Sequence, residues 1–360
     1  MADASISVAM CTRNGEQHVA RQVQSILHQR PAPTELVVGD DASTDDTLAI
    51  IEREHAEALA GDAGLLTTLT IIRRDPPLGV TANFAATLAA CTGDLIALCD
   101  QDDEWMPGKL AALTAAFTAD PELLLAHSDA RLVDAAGAPL GLTLLDALEV
   151  TRAERSGLTA GDALKVLLRR NLVTGATVML RRSLLESAAP IPAQWVHDEW
   201  LALIAAATGR VRLLPEPLID YRQHGANVIG ARRPTMPDRL ARLREPQAAR
   251  AARLAHRAAL LAERGRALGV TAAVQAQLDA KADHESRRAR LPRVRIARVP
   301  AVLAGALTGR YGRYSRGAVD VLRDLATPAG ELPVMTLAEP GPSTSLASGP
   351  PASPAERSDA

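Results

Sequence analysis

Aromatic residues are scarce in this chain, with two Phe, three Tyr and three Trp among 360 residues. Ala, Leu and Val must therefore fill the core, and few rings are available to stack nucleobases. Lysine occurs only at 109, 165 and 281, so nearly all basic charge is Arg, a pattern read as coding bias. Three cysteines, Cys11, Cys91 and Cys99, form no spaced pair and no metal-type cluster. That excludes a disulfide framework and predicts buried free thiols in a reducing compartment. No apolar run reaches the roughly 18 residues of a membrane span. Met1-Ala-Asp-Ala-Ser5 has neither a basic nor an apolar signal region, so no secretory leader is expected. Together these absences predict a cytoplasmic protein.

What is present is ordinary in bulk: 47% hydrophobic and 23% charged residues, enough for one large domain or two modest ones. The net charge of −2 hides an asymmetry. Residues 1–230 carry 18 basic and 30 acidic side chains, whereas 231–330 carry 21 and 8. The acidic body could hold a cation, and the Arg-rich extension could meet an anionic surface. No helix-turn-helix, zinc or RNA-binding signature accompanies the Arg residues, so nucleic acid is not expected as a partner.

Short apolar runs alternate with helical patterns through the first half. Strands are predicted at Ile6–Met10, Leu36–Gly39, Leu69–Ile72, Leu95–Cys99 and Leu123–Ala126. Helices are predicted over 16–28, 45–59 and 81–90, and from Pro107 to Ala119, with a capping box at Ser43-Thr44-Asp45-Asp46. Unpatterned apolar strands alternating with helices predict an α/β fold, a mostly parallel sheet covered on both faces. Further on, 161–169 and 198–207 read as helical and 177–180 and 211–214 as strands. From 238 to 290 the chain is Ala/Leu/Arg-rich at helical spacing, with breaks expected at Gly265 and Gly269. Three units follow: a catalytic domain over 1–230, a basic helical extension over 231–330, and a disordered tail over 331–360.

Ligands of open parallel sheets bind beyond the carboxyl ends of the strands. Four polar clusters follow predicted strands: Thr12-Arg13-Asn14, Asp40-Asp41, Asp100-Gln101-Asp102-Asp103 and His127-Ser128-Asp129. They are expected to share one crevice. Three carboxylates in four residues repel one another unless a cation offsets them, and such oxygen ligands suit Mg²⁺ or Mn²⁺. A solvated acidic loop capping the next helix would leave the same local pattern. Asp40-Asp41 could equally cap a turn or accept a hydrogen bond from a pyrimidine imide.

Val37–Thr47, with its Gly-Asp-Asp-Ala-Ser-Thr-Asp-Asp-Thr core, resembles the nucleotide-binding stretch of family 2 glycosyltransferases of the GT-A fold. Leu98–Pro107 resembles their DxD metal motif, and Gly79 with Asn83-Phe84 their connecting segment. His197-Asp198-Glu199-Trp200 and Leu218–Gly230 resemble the rhamnosyltransferase-like branch. The resemblance spans roughly residues 5–230.

It implies that Asp41 binds the pyrimidine base, with Thr12 and Arg13 lining the nucleotide pocket. Asp100 would contact the ribose or lie near the metal, and Asp102 would be the main protein ligand of that ion. Asp198 matches the catalytic base. Arg222 and His224 would lie near the diphosphate, His224 as a further metal ligand. The reaction implied is an inverting, metal-dependent transfer from a UDP- or dTDP-sugar, with dTDP-rhamnose favoured, to a hydroxyl of a glycan or lipid-linked glycan in cell-surface polysaccharide synthesis. Glu199 stands where relatives carry an aromatic residue, which leaves the base between Asp198 and Glu199. The Gln-x-x-Arg-Trp signature of processive synthases is absent.

Two other classes remain. A sugar nucleotidyltransferase would need a longer Gly-rich basic loop after the first strand than Thr12–Gly15 provides. A non-catalytic nucleotide-sugar-binding protein would keep the fold without turnover. The Arg-rich extension, with its clusters at 287–290 and 293–295 and the apolar run Val299–Leu307, could lie on the anionic inner face of a plasma membrane. Alternatively it packs on the catalytic body or on a second subunit of a homo-oligomer.

Overall fold

The computed structural model describes residues 4–223 and 247–326. Strands β1 (Ile6–Thr12), β2 (Glu35–Asp40), β3 (Thr68–Arg73) and β4 (Leu95–Asp100) alternate with helices α1 (Val19–Leu27), α2 (Thr47–Gly61) and α3 (Val80–Ala90). These four strands are parallel, in the order β3-β2-β1-β4. Period-two alternation splits their side chains between two cores. Ala9, Val37, Ile96 and Leu98 face one, and Val8, Met10, Val38 and Ala97 the other. Both faces are thus covered, as the unpatterned apolar runs predict.

Beyond β4 the sheet becomes mixed. The short β5 (Glu104–Trp105) precedes α4 (Lys109–Ala119), and β6 (Leu123–Val133) runs on to β7 (Pro139–Thr143). Three short helices follow, α5 (Leu144–Ala147), α6 (Arg152–Ala160) and α7 (Ala163–Leu167), none of which includes the full 161–169 span read from sequence. A 3₁₀ turn at Gly175–Thr177 leads to β8 (Val178–Arg181), α8 (Leu184–Ala188), α9 (His197–Thr208) and β9 (Arg210–Arg222). Strand β8 lies antiparallel between β4 and β6, and β9 lies parallel to β6.

Three local expectations are corrected. The fifth strand does not end at Ala126, because Ser128 and Asp129 are buried and continue it. Asp129 Oδ1 accepts from the Ala130 and Leu145 amides (2.8 and 3.0 Å), a structural role inside the sheet. The predicted capping box does not form, since Ser43 bonds to Asp40 and it is Asp45 that accepts from the Thr47 amide (3.1 Å). Gly265 does not break its helix. A Cβ there would come within 2.5 Å of Leu278 Cδ1, so Gly265 marks close packing, and the break falls at Gly269 (φ +63°).

The Arg-rich region forms α10 (Gln247–Leu268), α11 (Ala272–Ala289), α12 (Arg295–Leu307), α13 (Arg310–Tyr314) and α14 (Ala318–Ala326). Leu261, Ala262 and Leu278 belong to the same buried cluster as Leu167, Trp195 and Leu203 of the sheet domain. The helices therefore share a core with the body. Arg288 on α11 pairs with both Asp324 oxygens (2.7 and 3.0 Å) and with Glu285 (3.0 Å). Tyr311 donates to the same Asp324 (2.7 Å). His224 and the tail over 331–360 lie outside the described residues.

Removing one partner of a buried ion pair strands the other charge. Asp324→Ala should therefore lower stability by about 3 kcal/mol, read from urea unfolding, and expose the chain near α14 to limited proteolysis.

Candidate active site

The site begins with strand register. Thr12 on β1 pairs with Asp40 on β2, and Cys11 with Asp100 on β4, so three polar ends lie at one edge of the sheet. Asp40 is fully buried and locks two loops together, accepting from Thr12 Oγ1 (2.9 Å) and the Ser43 amide (2.9 Å). Ser43 Oγ in turn accepts from the Asn14 amide (2.9 Å). Asn14 and Ala42 hold φ values of 49° and 65°, left-handed backbone that non-glycine residues adopt at a cost.

Asp41 turns the other way. Its oxygens accept from the Leu78 and Gly79 amides (2.6 and 2.9 Å), tying the segment before α3 to the end of β2. Arg13, largely exposed, lies 3.9 Å from the same carboxylate. A clasp joins β1 and β4: Gln101 Oε1 accepts from the Arg13 amide (2.8 Å), and its Nε2 donates to the Arg13 carbonyl (3.0 Å). A Cβ on Gly15 would stand 2.4 Å from Gln101 Oε1, so glycine lets this side chain pass.

Asp100 and Asp102 are half-buried, and Asp103 is buried. Burial, then the charges of Asp102 and Asp198, push the Asp100 carboxyl up to about 7. Burial and its two acidic neighbours likewise drive Asp103 well upward, although the Arg222 amide donates to Oδ1 (3.0 Å). Asp103 Oδ2 is buried with no partner among the described residues. Arg222, expected beside the diphosphate, is instead buried beneath this loop, and its guanidinium donates to the carbonyls of Asp102 (2.8 Å) and Ala135 (3.2 Å). It positions the acidic loop from behind.

Lys109 is the residue that sequence reasoning missed. It is fully buried, donates to the Ala176 carbonyl (2.7 Å) and sits 4.2 Å from the Trp105 ring centre. Burial lowers its pKa to about 7, against the pull of Cys99, Asp103 and Asp100. The available signal was helical phase: Lys109 shares the buried face of α4 with Leu113 and Phe117.

Asp198 lies in the first turn of α9, where its oxygens accept from the Glu199 amide (2.6 Å) and the Gly175 amide (3.0 Å). Burial raises its pKa to about 6, and those amides oppose the rise. The charges of Asp100, Asp102, Asp103 and Asp198 all act on the buried Tyr221, which places the four acids in one neighbourhood. Glu199 is held elsewhere, in an ion pair with Arg257 of α10. His197 stacks on Phe84 at 4.0 Å, and burial keeps its imidazole neutral, its pKa lowered to about 3. Trp200 is a core residue that donates to the Ala188 carbonyl (2.8 Å).

Three of the four polar clusters thus meet, and His127-Ser128-Asp129 stays within its strand. Among the described residues, no three His, Cys, Asp or Glu side chains close a metal shell by themselves. The oxygen donors fit a hard divalent cation nonetheless, because their charges raise one another and one Asp103 oxygen is unpartnered. Such an ion commonly takes one or two carboxylates and fills its shell from phosphates and water.

The sequence model of glycosyl transferase family 2 matches residues 7–186, half of the chain. The chain belongs to this family. An uncharacterized protein of Mycobacterium tuberculosis is 30% identical over 226 residues, 62% of this chain and 60% of that protein. An uncharacterized glycosyltransferase of Nostoc is 28% identical over 236 residues, 62% of this chain and 66% of its own length. The matched region therefore spans less than two thirds of these relatives. A solved structure of S. aureus TarS residues 1–349, in complex with UDP-GlcNAc, superposes with a TM-score of 0.51 at 19% identity and covers 89% of each chain. That likeness shows the fold, the GT-A arrangement.

A carboxyl whose folded pKa of about 7 exceeds its ordinary 3.8 holds its proton longer in the folded state. Its contribution is then lost as pH rises through that window. Without metal, Asp100→Asn should raise Tm at pH 8 relative to wild type, and the gap should close towards pH 4.

Proposed function

We propose that this chain is an inverting glycosyltransferase that moves one sugar from a nucleoside diphosphate donor to an acceptor hydroxyl. The observation that carries the reading is Asp198: a buried carboxylate with raised proton affinity, close enough to the strand-end acids for its charge to act on Asp100. Family membership gives the reaction class its context. Asp198 takes the proton of the acceptor hydroxyl as that oxygen attacks the anomeric carbon, and the sugar–phosphate bond breaks in the same displacement. One base opposite the leaving group inverts the centre, with no covalent intermediate. Engagement of Glu199 by Arg257 favours Asp198 over its neighbour as the base.

Asp102 would hold a divalent metal, Mg²⁺ or Mn²⁺, with Asp100 beside it and His224 as a further ligand. When bound, that ion offsets charge on the departing diphosphate. Thr12 and Arg13 line the nucleotide pocket, and Asp41 accepts from the base imide through lone pairs left free by Leu78 and Gly79. Arg222 serves the donor indirectly, through the acidic loop. The donor is a UDP- or dTDP-sugar, with dTDP-rhamnose favoured by the resemblance of 197–200 and 218–230. The acceptor is a glycan or lipid-linked glycan of the cell surface.

Domain limits at about 230 and 330 accompany this reading, as does peripheral contact with the inner face of the membrane. No described helix is long and apolar enough to cross a bilayer. Ile296, Val299, Leu303 and Leu307, however, form an exposed stripe on α12, and Leu322 of α14 is exposed as well. Arg290, Arg293 and Arg295, at and just before the start of α12, and Arg313 of α13 are exposed too. Exposed Arg side chains beside an apolar stripe match an anionic lipid surface.

The deciding assay is nucleoside diphosphate release from UDP-, dTDP- and GDP-sugars with Mg²⁺ or Mn²⁺. One donor should be turned over, EDTA and Asp102→Asn should abolish release, and Asp198→Asn should cost about 10²–10⁴-fold in acceptor-dependent rate. Since only the ionised base accepts a proton, the wild-type rate should fall as pH drops below about 6. Full activity in Asp198→Asn would refute the assignment. In a separate flotation assay, the protein should join vesicles containing phosphatidylglycerol but not neutral ones. Leu303→Asp with Leu307→Asp should release it, and equal flotation of that variant would remove the membrane reading.

A further inference from the structure

Two amides donate to the Asp198 carboxylate, and only one of them, that of Gly175, comes from outside α9. Gly175 opens the 3₁₀ turn Gly175–Thr177, which is pressed against the start of α9. A Cβ on Gly175 would stand 3.1 Å from His197 Nε2 and 3.7 Å from Asp198 Cβ. The missing side chain lets the backbone come close enough for its amide to reach Asp198 Oδ2 (3.0 Å).

The same turn is held from its other side. Within it, the Thr177 amide donates to the Thr174 carbonyl (2.9 Å) and the Val178 amide to the Gly175 carbonyl. The Ala176 carbonyl serves neither of these bonds, and Lys109 Nζ donates to it (2.7 Å). Lys109 is the first residue of α4, just beyond the acidic loop and β5. One side chain therefore spans from the helix that follows the acidic loop to the turn that grips Asp198. The face of α4 that buries Lys109 otherwise carries Leu110, Leu113 and Phe117, and packing alone would be met by another apolar residue. An ammonium without exposed surface is costly, and here it donates to a carbonyl rather than to either nearby acid. Bonds with one charged partner are stronger and shorter than neutral ones. The turn has one on each side, from the Lys109 ammonium to Ala176 and from Gly175 to the Asp198 carboxylate.

We propose that Lys109 is a positioning residue for the transfer: by holding the Ala176 carbonyl it fixes the Gly175 amide against Asp198 and sets the base relative to the acidic loop. It acts through the turn and not on the reacting atoms. The link to catalysis rests on Asp198 as the base, but the clamp on the Asp198 carboxylate does not.

The clamp is tested by proton–nitrogen NMR of the full chain labelled at glycine, with the Gly175 signal identified by its loss in Gly175→Ala. The Gly175 amide proton should lie downfield in wild type and move upfield in Asp198→Asn, which removes its charged acceptor. Lys109→Met keeps the side-chain length, removes the donor and should produce most of that upfield movement. Lys165→Met, at an exposed lysine of α7, should leave the signal in place. Should Lys109→Met not melt cooperatively, Lys109→Gln, shorter and uncharged, carries the same comparison. A Gly175 signal unmoved in the Lys109 variant would overturn the proposal. The kinetic test is nucleoside diphosphate release from the donor that wild type turns over, at saturating Mg²⁺ and with water as acceptor. Lys109→Met should lower kcat about 10- to 100-fold and leave the donor KM within about twofold. In the Asp198→Asn background the same substitution should cost nothing further, because its route runs through that carboxylate. Equal losses in both backgrounds would also overturn the proposal. Full activity in Asp198→Asn alone would instead count against the base, while the Gly175 signal still decides the clamp.

Discussion

Four carboxylates gathered at one crevice repel one another, and much of the surrounding architecture offsets that repulsion. Asp100, Asp102, Asp103 and Asp198 all act on Tyr221, in surroundings where charges interact more strongly than in water. Two cations of the protein address them from within. Lys109 stands beneath the acidic loop, held by the Ala176 carbonyl and by Trp105. Arg222 grips the backbone of the same loop and hands its own amide to Asp103. Burial is the main reason that Asp100 and Asp198 still bind protons more tightly than isolated carboxyls, and at Asp100 the charges of Asp102 and Asp198 add to it.

The helical extension is part of this arrangement. It shares a buried cluster with the sheet domain, and Arg257 takes Glu199 out of contention as a second free carboxylate next to Asp198. A division of labour along α9 results. One residue of its first turn stands near the strand-end acids, and the next is tied to the helical extension.

Much of the crevice was legible because apolar runs stop at charged residues. The ends of β1, β2 and β4 at Thr12, Asp40 and Asp100 could be read directly. The same rule misplaced His127-Ser128-Asp129, since β6 carries buried polar side chains whose partners, such as the Leu145 amide, are distant in sequence. Lys109 was hidden by its type, a cation on a face that periodicity reserves for apolar residues. The Gln101 clasp, the Arg222 buttress and the Glu199–Arg257 pair all join segments far apart in the chain. Local pattern holds no record of such pairings. The helical character of the extension was visible from composition, but its shared core with the body was not.

Asp41 joins two events that would otherwise be independent. Its carboxylate fixes the Leu78–Gly79 backbone at the entrance to α3, and in the proposed function it also receives the nucleobase. Any ligand group that draws on the same oxygens must share them with those two amides. Occupancy of the pocket and the position of this segment are then thermodynamically linked, and such linkage is reciprocal. Under the proposed function, whatever shifts the Leu78–Gly79 turn changes nucleotide affinity, and by the same free energy the nucleotide sets the position of the turn.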